Sequence, residues 1–207
     1  MPKVSVIMSV YNGSIFLDPV IDSVLKQTFS DFEFIIIDDA STDSSLDIIS
    51  NCALKDQRIK IIKNDQNLGL TKSLNKAIKQ SEGEYLARID VDDICYPERL
   101  EKQVNFLDTN HSHALVGSWA EIINDKNDVL RTVKYPTNSN DLKKDLIKYN
   151  PFLHSSIMIR KKVLVEVGLY DEDFLFSQDY ELYFRIAKKY DIANIPSILI
   201  KYREIDN

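Results

Sequence analysis

A group of acidic side chains in the sequence follows an apolar run. Asp90-Val91-Asp92-Asp93 places three carboxylates in four residues, directly after Glu84–Ile89. If the chain is extended there, alternation directs Asp90 and Asp92 to the same side. Two carboxylates on one side form a site for a hard divalent cation such as Mg²⁺ or Mn²⁺. Such a cation would bridge the oxygens of a diphosphate and neutralise their charge.

Three other interpretations of this acidic group have different consequences. An EF-hand calcium loop is excluded, because Ile94 and Cys95 stand where that loop needs an oxygen ligand and a glycine. The nucleophile of a phosphohydrolase shares the D-x-D spacing, but that motif usually follows a first strand and this one follows the fourth. The third interpretation is structural, with the carboxylates capping a helix that begins near Pro97.

Apolar runs and amphipathic segments alternate through the first ninety residues. Runs rich in β-branched residues predict strands over Val4–Val10, Phe32–Ile37, Arg58–Ile62 and Glu84–Ile89. Helical spacing predicts helices over Phe16–Phe29, after the capping residues Ser41-Thr42-Asp43, and over Leu70–Ile78. This alternation predicts an α/β fold with a mostly parallel sheet flanked by helices on both faces. Ligands of such sheets bind beyond the carboxyl ends of the strands, where the acidic group lies.

After Asp93 the pattern becomes mixed. It predicts strands over Leu115–Ile123, Asp128–Lys134, Ser155–Arg160 and Ile192–Tyr202. It predicts helices over Pro97–Leu107, Leu142–Tyr149, a short segment ending at Val167, and Tyr180–Lys189. We expect this half to add antiparallel strands and a second wall to the same cleft. Because no repeat or Gly/Ser linker interrupts the chain, one domain of residues 1–207 is predicted.

Composition limits the classes of partner and compartment. The net charge of −6 argues against nucleic acid as the main partner, because phosphate-backbone binding needs clustered Lys and Arg. We find neither a signal-peptide pattern after Met1 nor an apolar stretch approaching the roughly 18 residues of a membrane span. Two cysteines are too few for a disulfide framework. The expected location is therefore the cytoplasm.

Glycine is scarce, and this bears on phosphate binding. The chain has five glycines in 207 residues, and no two have the spacing of G-x-G-x-x-G or G-x-x-x-x-G-K. Loops that surround phosphates with bare backbone amides are therefore excluded. If the chain binds a nucleotide, a cation must supply that neutralisation.

Four segments, taken in order, resemble the signatures of family 2 glycosyltransferases with the GT-A fold. They are Val4–Asn12, Ile36–Asp43, Asn67-Leu68-Gly69 and Ala87–Asp93, and the resemblance continues through Gly168-Leu169-Tyr170 and Gln178–Leu182. It implies a nucleotide-diphospho-sugar transferase fold, with residues 1–93 as the nucleotide-binding half and 94–207 as the acceptor and catalytic half. Gly69 and Gly168 lie within these motifs, where a tight turn or a close backbone approach would require glycine.

The resemblance also assigns donor-binding residues. It implies that Val10, Tyr11 and Asn12 pack on the nucleoside and that Asp39 hydrogen-bonds the pyrimidine ring. A carboxylate suits uracil, which carries an N3–H that cytosine lacks. Asp90 is expected near the ribose and the metal ion, Asp92 as the direct metal ligand, and Lys72 and Arg88 as secondary nucleotide contacts.

The catalytic base implied by the resemblance is Asp179. It would take the proton from an acceptor hydroxyl during an inverting transfer. The alternative is a helix N-cap, with Leu182 at the third helical position. The family usually has Glu-Asp where this chain has Gln178-Asp179. His154 is expected to contact the acceptor or the diphosphate unless it is structural, and Trp119 to stack on acceptor sugar unless it lies in the core.

These residues predict an inverting, metal-dependent glycosyltransferase that uses a UDP-sugar to extend a glycan or a lipid-linked acceptor in cell-surface polysaccharide synthesis. Peripheral association with the inner face of the membrane would accompany a lipid-linked acceptor. A non-catalytic nucleotide-sugar-binding module, a sugar nucleotidyltransferase and a metal-dependent phosphohydrolase are the alternatives. The nucleotidyltransferase normally needs a Gly-rich basic first loop, which Val10-Tyr11-Asn12-Gly13 does not provide.

Overall fold

The strands of the molecule form one sheet in a computed structural model that describes residues 1–174 and 176–204. The strands are β1 (Val4–Val10), β2 (Phe32–Asp38), β3 (Ile59–Lys63), β4 (Tyr85–Arg88), β5 (Ile94–Cys95), β6 (His113–Ile123), β7 (Val129–Val133), β8 (Met158–Arg160) and β9 (Asp191–Arg203). The helices are α1 (Ser14–Leu25), α2 (Ser45–Ala53), α3 (Leu70–Gln80), α4 (Arg99–Thr109), α5 (Ser139–Asp145), α6 (Lys161–Glu166) and α7 (Gln178–Ala187). Residues 175 and 205–207 of the predicted domain lie outside the described residues.

The first half of the sheet is parallel, as predicted. Its strands lie in the order β3-β2-β1-β4. Val10 is paired with Asp38, and Ile7 with Arg88, so β1, β2 and β4 end along the same side of the sheet. We call this side the carboxyl edge. Nearly every residue of β1 and all of β2 and β4 are buried, which explains their continuous apolar runs.

The second half is mixed, also as predicted. β8 is antiparallel to β4, β6 is antiparallel to β8, and β9 is parallel to β6. β6 passes the end of β8 and pairs with β7 beyond it. The last residues of β6 and β9 therefore extend past the carboxyl edge, and the second wall that they would add to a cleft stays a prediction.

Alternating strand residues supply two apolar layers, one on each face of the sheet. In β2, Phe34 and Ile36 face the layer shared with α1, α2 and α4. Ile35 and Ile37 face the layer shared with α3, α5, α6 and α7. Burying each such side chain contributes about 1.5–3 kcal/mol, which holds the strand ends in fixed relative positions.

Several predicted boundaries were wrong for local reasons. The segment predicted as a strand from Ser155 begins with a 3₁₀ turn at His154–Ser156, because the two serine hydroxyls turn inward to polar partners. The first helix ends at Leu25 and not at Phe29. The sequence analysis missed β5, whose two residues are too few to show a period. Within the described residues, no helix is both long enough and apolar enough to cross a membrane.

Gly69 and Gly168 are required by conformation. Their φ angles are +84° and +97°, in the region that favours glycine. A Cβ on Gly69 would meet no atom within 4 Å, so crowding is not the reason for glycine there. At Gly168, which lies in the turn that ends α6, the expected tight turn is therefore correct. Gly69 precedes α3 outside any turn, and its positive φ alone is the reason for glycine there.

Candidate active site

The loop after β1 is held by hydrogen bonds to the loop after β2. The Asn12 side-chain oxygen accepts from the Thr42 amide at 2.8 Å, and the Asn12 amide donates to Ser41 Oγ at 3.1 Å. Asn12 has a φ of +53°, and the preceding residue, Tyr11, is 52% exposed. The side chain of Val10 is fully buried in the core, and the expected packing of Val10 on a nucleoside stays a prediction.

Asp39 holds the loop that leads into α3. Its Oδ1 accepts from Asn64 Nδ2 at 2.7 Å and from the Leu68 amide at 2.9 Å, and its Oδ2 accepts from the Gly69 amide at 2.9 Å. A carboxylate has about four acceptor positions, so one position on Oδ2 remains. The sequence analysis missed the structural part of this role. A hydrogen bond from Asp39 to a pyrimidine stays a prediction.

The Arg88 guanidinium is buried beside Asp90. It pairs with both carboxylate oxygens of Asp90 and donates to Ser155 Oγ at 3.1 Å. The side chain of Asp90 is 32% exposed, whereas that of Arg88 is 3% exposed. The nucleotide contact expected at Arg88 stays a prediction.

The backbone turns at the acidic group. The Asp93 amide donates to the Asp90 carbonyl across 3.4 Å, so the alternation argument for Asp90 and Asp92 is wrong. The Asp92 carbonyl accepts from Arg203 Nε at 2.9 Å. The pKa of the Asp92 carboxyl lies above its usual value, first because it is partly buried and then because Asp90 places a second negative charge beside it.

Asp93 points into the protein. Its Oδ1 accepts from the Arg203 amide at 2.8 Å, and its Oδ2 has no partner among residues 1–174 and 176–204. Burial, and then the charge of Asp90, raise the pKa of Asp93 to about 8. The helix-capping interpretation also fails, since α4 begins after Glu98 without a side-chain cap and the carboxylates of Asp90 and Asp93 have other partners.

Asp92 and Asp90 fit a divalent cation that is shared with a substrate. In the described ranges, no three His, Cys, Asp or Glu side chains form a complete metal site. Mg²⁺ characteristically binds through one or two carboxylates together with substrate phosphates and water. A cation beside Asp92 would relieve the repulsion that raises its pKa.

Asp179 is the second residue of α7. Ser177 occupies the cap position, so the N-cap interpretation of Asp179 is wrong. Its Oδ2 accepts from Asn150 Nδ2 at 2.8 Å. The sequence analysis missed Asn150, and no local signal could have found it, because the contact joins positions that are 29 residues apart.

His154 is bound within the protein. Its Nε2 lies 2.7 Å from the Tyr170 hydroxyl, and its ring packs edge-on against Tyr183 with centroids 6.5 Å apart. Burial, and then the positive charge of Arg88, lower the pKa of His154 well below its usual value. The imidazole is therefore neutral near pH 7. These contacts favour the structural alternative, and a contact of His154 with the acceptor or the diphosphate stays a prediction.

Trp119 lies on β6, and Lys72 lies in the first turn of α3. Trp119 is half-buried, its Nε1 donates to the Tyr135 carbonyl at 2.9 Å, and Lys134 Nζ lies 5.0 Å from the ring centroid. Lys72, together with Phe174 and Gln178, lines a cavity of about 210 Å³ between the first turns of α3 and α7. Their predicted contacts with the acceptor and the nucleotide stay predictions.

The family is shown by comparison with known proteins. Residues 5–168 match the model of "Glycosyl transferase family 2". An uncharacterized glycosyltransferase of Haemophilus influenzae is 35% identical over 98% of this chain, which spans 65% of that relative's length. The amylovoran biosynthesis glycosyltransferase AmsE of Erwinia amylovora is 31% identical over 96% of this chain and 75% of its own.

Solved structures share the fold. S. aureus TarS 1-349 in complex with UDP-GlcNAc superimposes with a TM-score of 0.80 at 23% identity, covering 99% of this chain and 59% of its own. The mannosyltransferase PcManGT from Pyrobaculum calidifontis, in complex with GDP-Man and Mn²⁺, gives a TM-score of 0.75 at 19% identity, covering 99% of this chain and 56% of its own.

The half-parallel sheet and the acidic turn at its carboxyl edge define a protein of the GT-A fold, as the sequence predicted. The chain belongs to glycosyl transferase family 2.

Proposed function

We propose that this chain catalyses an inverting transfer of a sugar from a UDP-sugar to a hydroxyl group of a glycan or lipid-linked acceptor, with Mn²⁺ or Mg²⁺ as cofactor. The observation that carries the proposal is the acidic turn at the carboxyl edge. Three carboxylates meet there, and the pKa of Asp92 and Asp93 is raised above its usual value. A site with excess negative charge binds a diphosphate only together with a cation.

The donor nucleoside is proposed to lie between the Tyr11 ring and Asp39. An exposed aromatic ring offers a face for stacking on a base. The remaining acceptor position on Asp39 Oδ2 suits the N3–H of uracil, and TarS, a structural neighbour, is a UDP-GlcNAc complex. The GDP-Man complex of PcManGT makes GDP-sugars the competing donors to be tested.

The cation is proposed to lie beside Asp92, with Asp90 next to it. When bound, Mn²⁺ or Mg²⁺ neutralises the charge that develops on the departing diphosphate. The Mn²⁺ complex of PcManGT supports this cofactor class. The buried Arg88 guanidinium pairs with both carboxylate oxygens of Asp90 and neutralises their charge. Asp92 is therefore proposed as the carboxylate that binds the cation.

Asp179 is proposed as the general base. Its carboxylate would accept the proton of the acceptor hydroxyl while the oxygen attacks the anomeric carbon from the face opposite the diphosphate. Asn150 Nδ2 donates to Oδ2 at 2.8 Å, and the other oxygen has no hydrogen-bond partner in the part of the chain that the structure describes. General-base catalysis of this kind accounts for roughly 100- to 10,000-fold in rate.

The acceptor class is proposed from the relatives. AmsE is named for amylovoran biosynthesis, which supports a polysaccharide or its lipid-linked precursor as acceptor. We propose that the reaction takes place in the cytoplasm, at the inner face of the membrane where a lipid-linked acceptor would reside. Trp119 and its partly covered ring are proposed to contact the acceptor sugar.

Titration calorimetry with UDP and Mn²⁺ tests the donor site. We expect Asp92→Asn to weaken metal-dependent UDP binding at least about 100-fold, because the cation loses its charged ligand. Asp125→Asn, in the exposed turn between β6 and β7, is the matched control and should bind as the wild type does. Equal affinity of Asp92→Asn and wild type would contradict the metal assignment. Tighter binding of GDP than of UDP would contradict the donor.

Transfer assays with Asp179→Asn test the base. We expect UDP binding to be unchanged and turnover of a UDP-sugar to fall roughly 100- to 10,000-fold, because the amide cannot accept the proton. Full turnover in this variant would mean that another group is the base. Donor binding by the wild type without transfer or hydrolysis would favour the non-catalytic binding module.

A further inference from the structure

In the described residues, the hydroxyl of Ser155 makes all of its hydrogen bonds to Asp90 and Arg88, at the start of the acidic turn. Its oxygen accepts from the Asp90 amide at 3.0 Å and from Arg88 Nη1 at 3.1 Å. Its proton is donated to Asp90 Oδ2, also at 3.0 Å. A serine hydroxyl has one donor and two acceptor positions, so none remains. Ser155 has no exposed surface, so water does not compete for these bonds.

These bonds hold Asp90 at the point where the chain leaves the sheet. The pairing of β4 with β1 ends at Arg88, and Ile89 makes the last backbone bond to β1, to the Ile7 carbonyl at 3.1 Å. The Asp90 amide is the first without a strand partner, and Ser155 takes the place of that partner. One oxygen atom thus fixes both the backbone and the side chain of Asp90.

The same hydroxyl determines which carboxylate Arg88 neutralises. Arg88 lies among three carboxylates, and its guanidinium could pair with more than one of them. Ser155 Oγ accepts from the same Nη1 that donates to Asp90 Oδ2, so it lies against the ion pair of Arg88 with Asp90. Within residues 1–174 and 176–204, Asp92 forms no ion pair, and it is the carboxylate that a cation would need.

We propose that Ser155 is a positioning residue of the donor site, which directs Arg88 onto Asp90 and thereby keeps Asp92 available for the cation and the diphosphate. The proposal rests on the proposed function. Without the hydroxyl, Arg88 Nη1 and the Asp90 amide lose their partner, and the guanidinium is free to approach Asp92. Loss of an outer partner of this kind typically weakens metal binding roughly 10- to 100-fold.

The adjacent residue provides a matched control. Ser156 is also fully buried, but its hydroxyl donates to the Leu153 carbonyl at 2.8 Å and lies 3.4 Å from the Ser118 amide. Ser155→Ala and Ser156→Ala therefore remove the same group from equally buried positions. Only the first removes bonds to Asp90 and Arg88.

The experiment measures Mn²⁺ affinity by calorimetry at saturating UDP, with urea unfolding as the check on folding. We expect Ser155→Ala to bind Mn²⁺ roughly 10- to 100-fold more weakly and Ser156→Ala to bind as the wild type does. If Ser155→Ala does not fold, Ser155→Cys replaces it, and weaker Mn²⁺ binding is expected there too because a thiol is a poor donor and acceptor. Unchanged affinity in the Ser155 variant, or equal losses in both variants, would overturn the proposal.

A double-mutant cycle separates positioning from a general loss of structure. We expect Asp90→Asn combined with Ser155→Ala to bind Mn²⁺ no more weakly than Asp90→Asn alone, because both changes act through the same carboxylate. Additive losses would overturn the proposal. Wild-type protein that binds no UDP with Mn²⁺ would overturn the proposed function and this proposal together, whereas unchanged affinity in Ser155→Ala would overturn this proposal alone.

Discussion

A cluster of charged side chains lies at each end of strand β4, and the two clusters differ in whether their positive and negative charges are equal in number. At its amino end, Lys3 Nζ lies 2.8 Å from Glu84 and 2.9 Å from Asp108, and Arg160 donates to the Tyr85 hydroxyl at 3.2 Å. Two cations thus face two anions. None of these five side chains has a buried polar atom without a partner in the part of the chain that the structure describes.

At the carboxyl end of β4, three carboxylates face two guanidinium groups. Arg88 forms an ion pair with Asp90. The Arg203 guanidinium donates hydrogen bonds to the Asp92 and Asn124 carbonyls and to the side-chain oxygen of Asn127. In the described ranges, Arg88 Nε and one oxygen of Asp93 are buried without partners.

We expect the difference to separate structural charges from functional ones. Both clusters combine acidic and basic side chains at the ends of one strand, so the presence of charged residues does not distinguish them. The balanced cluster stabilises the fold by itself. We expect the unbalanced cluster to lower the stability of the cation-free protein, and it lies where parallel sheets bind their ligands.

The largest expected effect on stability is at the amino end. Arg160→Met should lower the free energy of unfolding by about 3 kcal/mol, because the Leu107 and His113 carbonyls and the Tyr85 hydroxyl lose a buried partner. Urea unfolding measures this, with the exposed Lys162→Met as the control. UDP affinity should be unchanged at a temperature where the variant is folded. A loss of UDP affinity there would break the distinction between the two ends.

At the carboxyl end of β4, removal of a charge should raise the free energy of unfolding instead of lowering it. In the absence of metal, Asp92→Asn should raise the free energy of unfolding by about 0.5–2 kcal/mol, because the repulsion from Asp90 is relieved. Asp108→Asn, which removes a paired carboxylate at the amino end, should lower it by up to about 1 kcal/mol. Equal signs for the two variants in urea unfolding would contradict the comparison.

The excess negative charge at the carboxyl end of β4 should also appear in the pH dependence of the free energy of unfolding. Burial and the charge of Asp90 raise the pKa of Asp93 to about 8, so the folded state binds this proton more tightly than the unfolded state does. In EDTA, stability should therefore fall as the pH rises from about 4 to about 8. Asp93→Asn should flatten that decline in urea unfolding across the pH range. An unchanged slope would mean that Asp93 is ionised in the folded protein.

The smallest expected effect on stability concerns Asp43, a carboxylate near the carboxyl edge whose oxygens accept hydrogen bonds. Hydrogen bonds to Ser45 and Ser14 outweigh burial and lower the pKa of Asp43 to about 2. Its contribution to stability is present above about pH 4 and lost as the pH falls through about 2. Because the side chain is exposed, Asp43→Asn should cost up to about 1 kcal/mol at pH 7 and nothing near pH 2. Equal costs at both pH values would contradict this assignment.

Much of the fold could be predicted because its signals are local. Runs of β-branched residues and helical spacing depend on neighbours a few positions apart, and the predicted strands Val4–Val10 and Phe32–Ile37 match the structure closely. The predictions failed where a polar contact overrides the local pattern. Ser155 and Ser156 read as part of a strand, but their buried hydrogen bonds produce a 3₁₀ turn.

The sequence by itself determined that acidic residues follow a buried strand, that no glycine-rich loop can replace a cation, and that Asp179 begins a late helix. The tertiary structure alone decided the role of each charge. Asp90 meets Ser155 across 65 positions, and Asp179 meets Asn150 across 29. The free energy of a carboxylate depends on burial and on charges within a few ångströms, and these neighbours come together only when the chain folds.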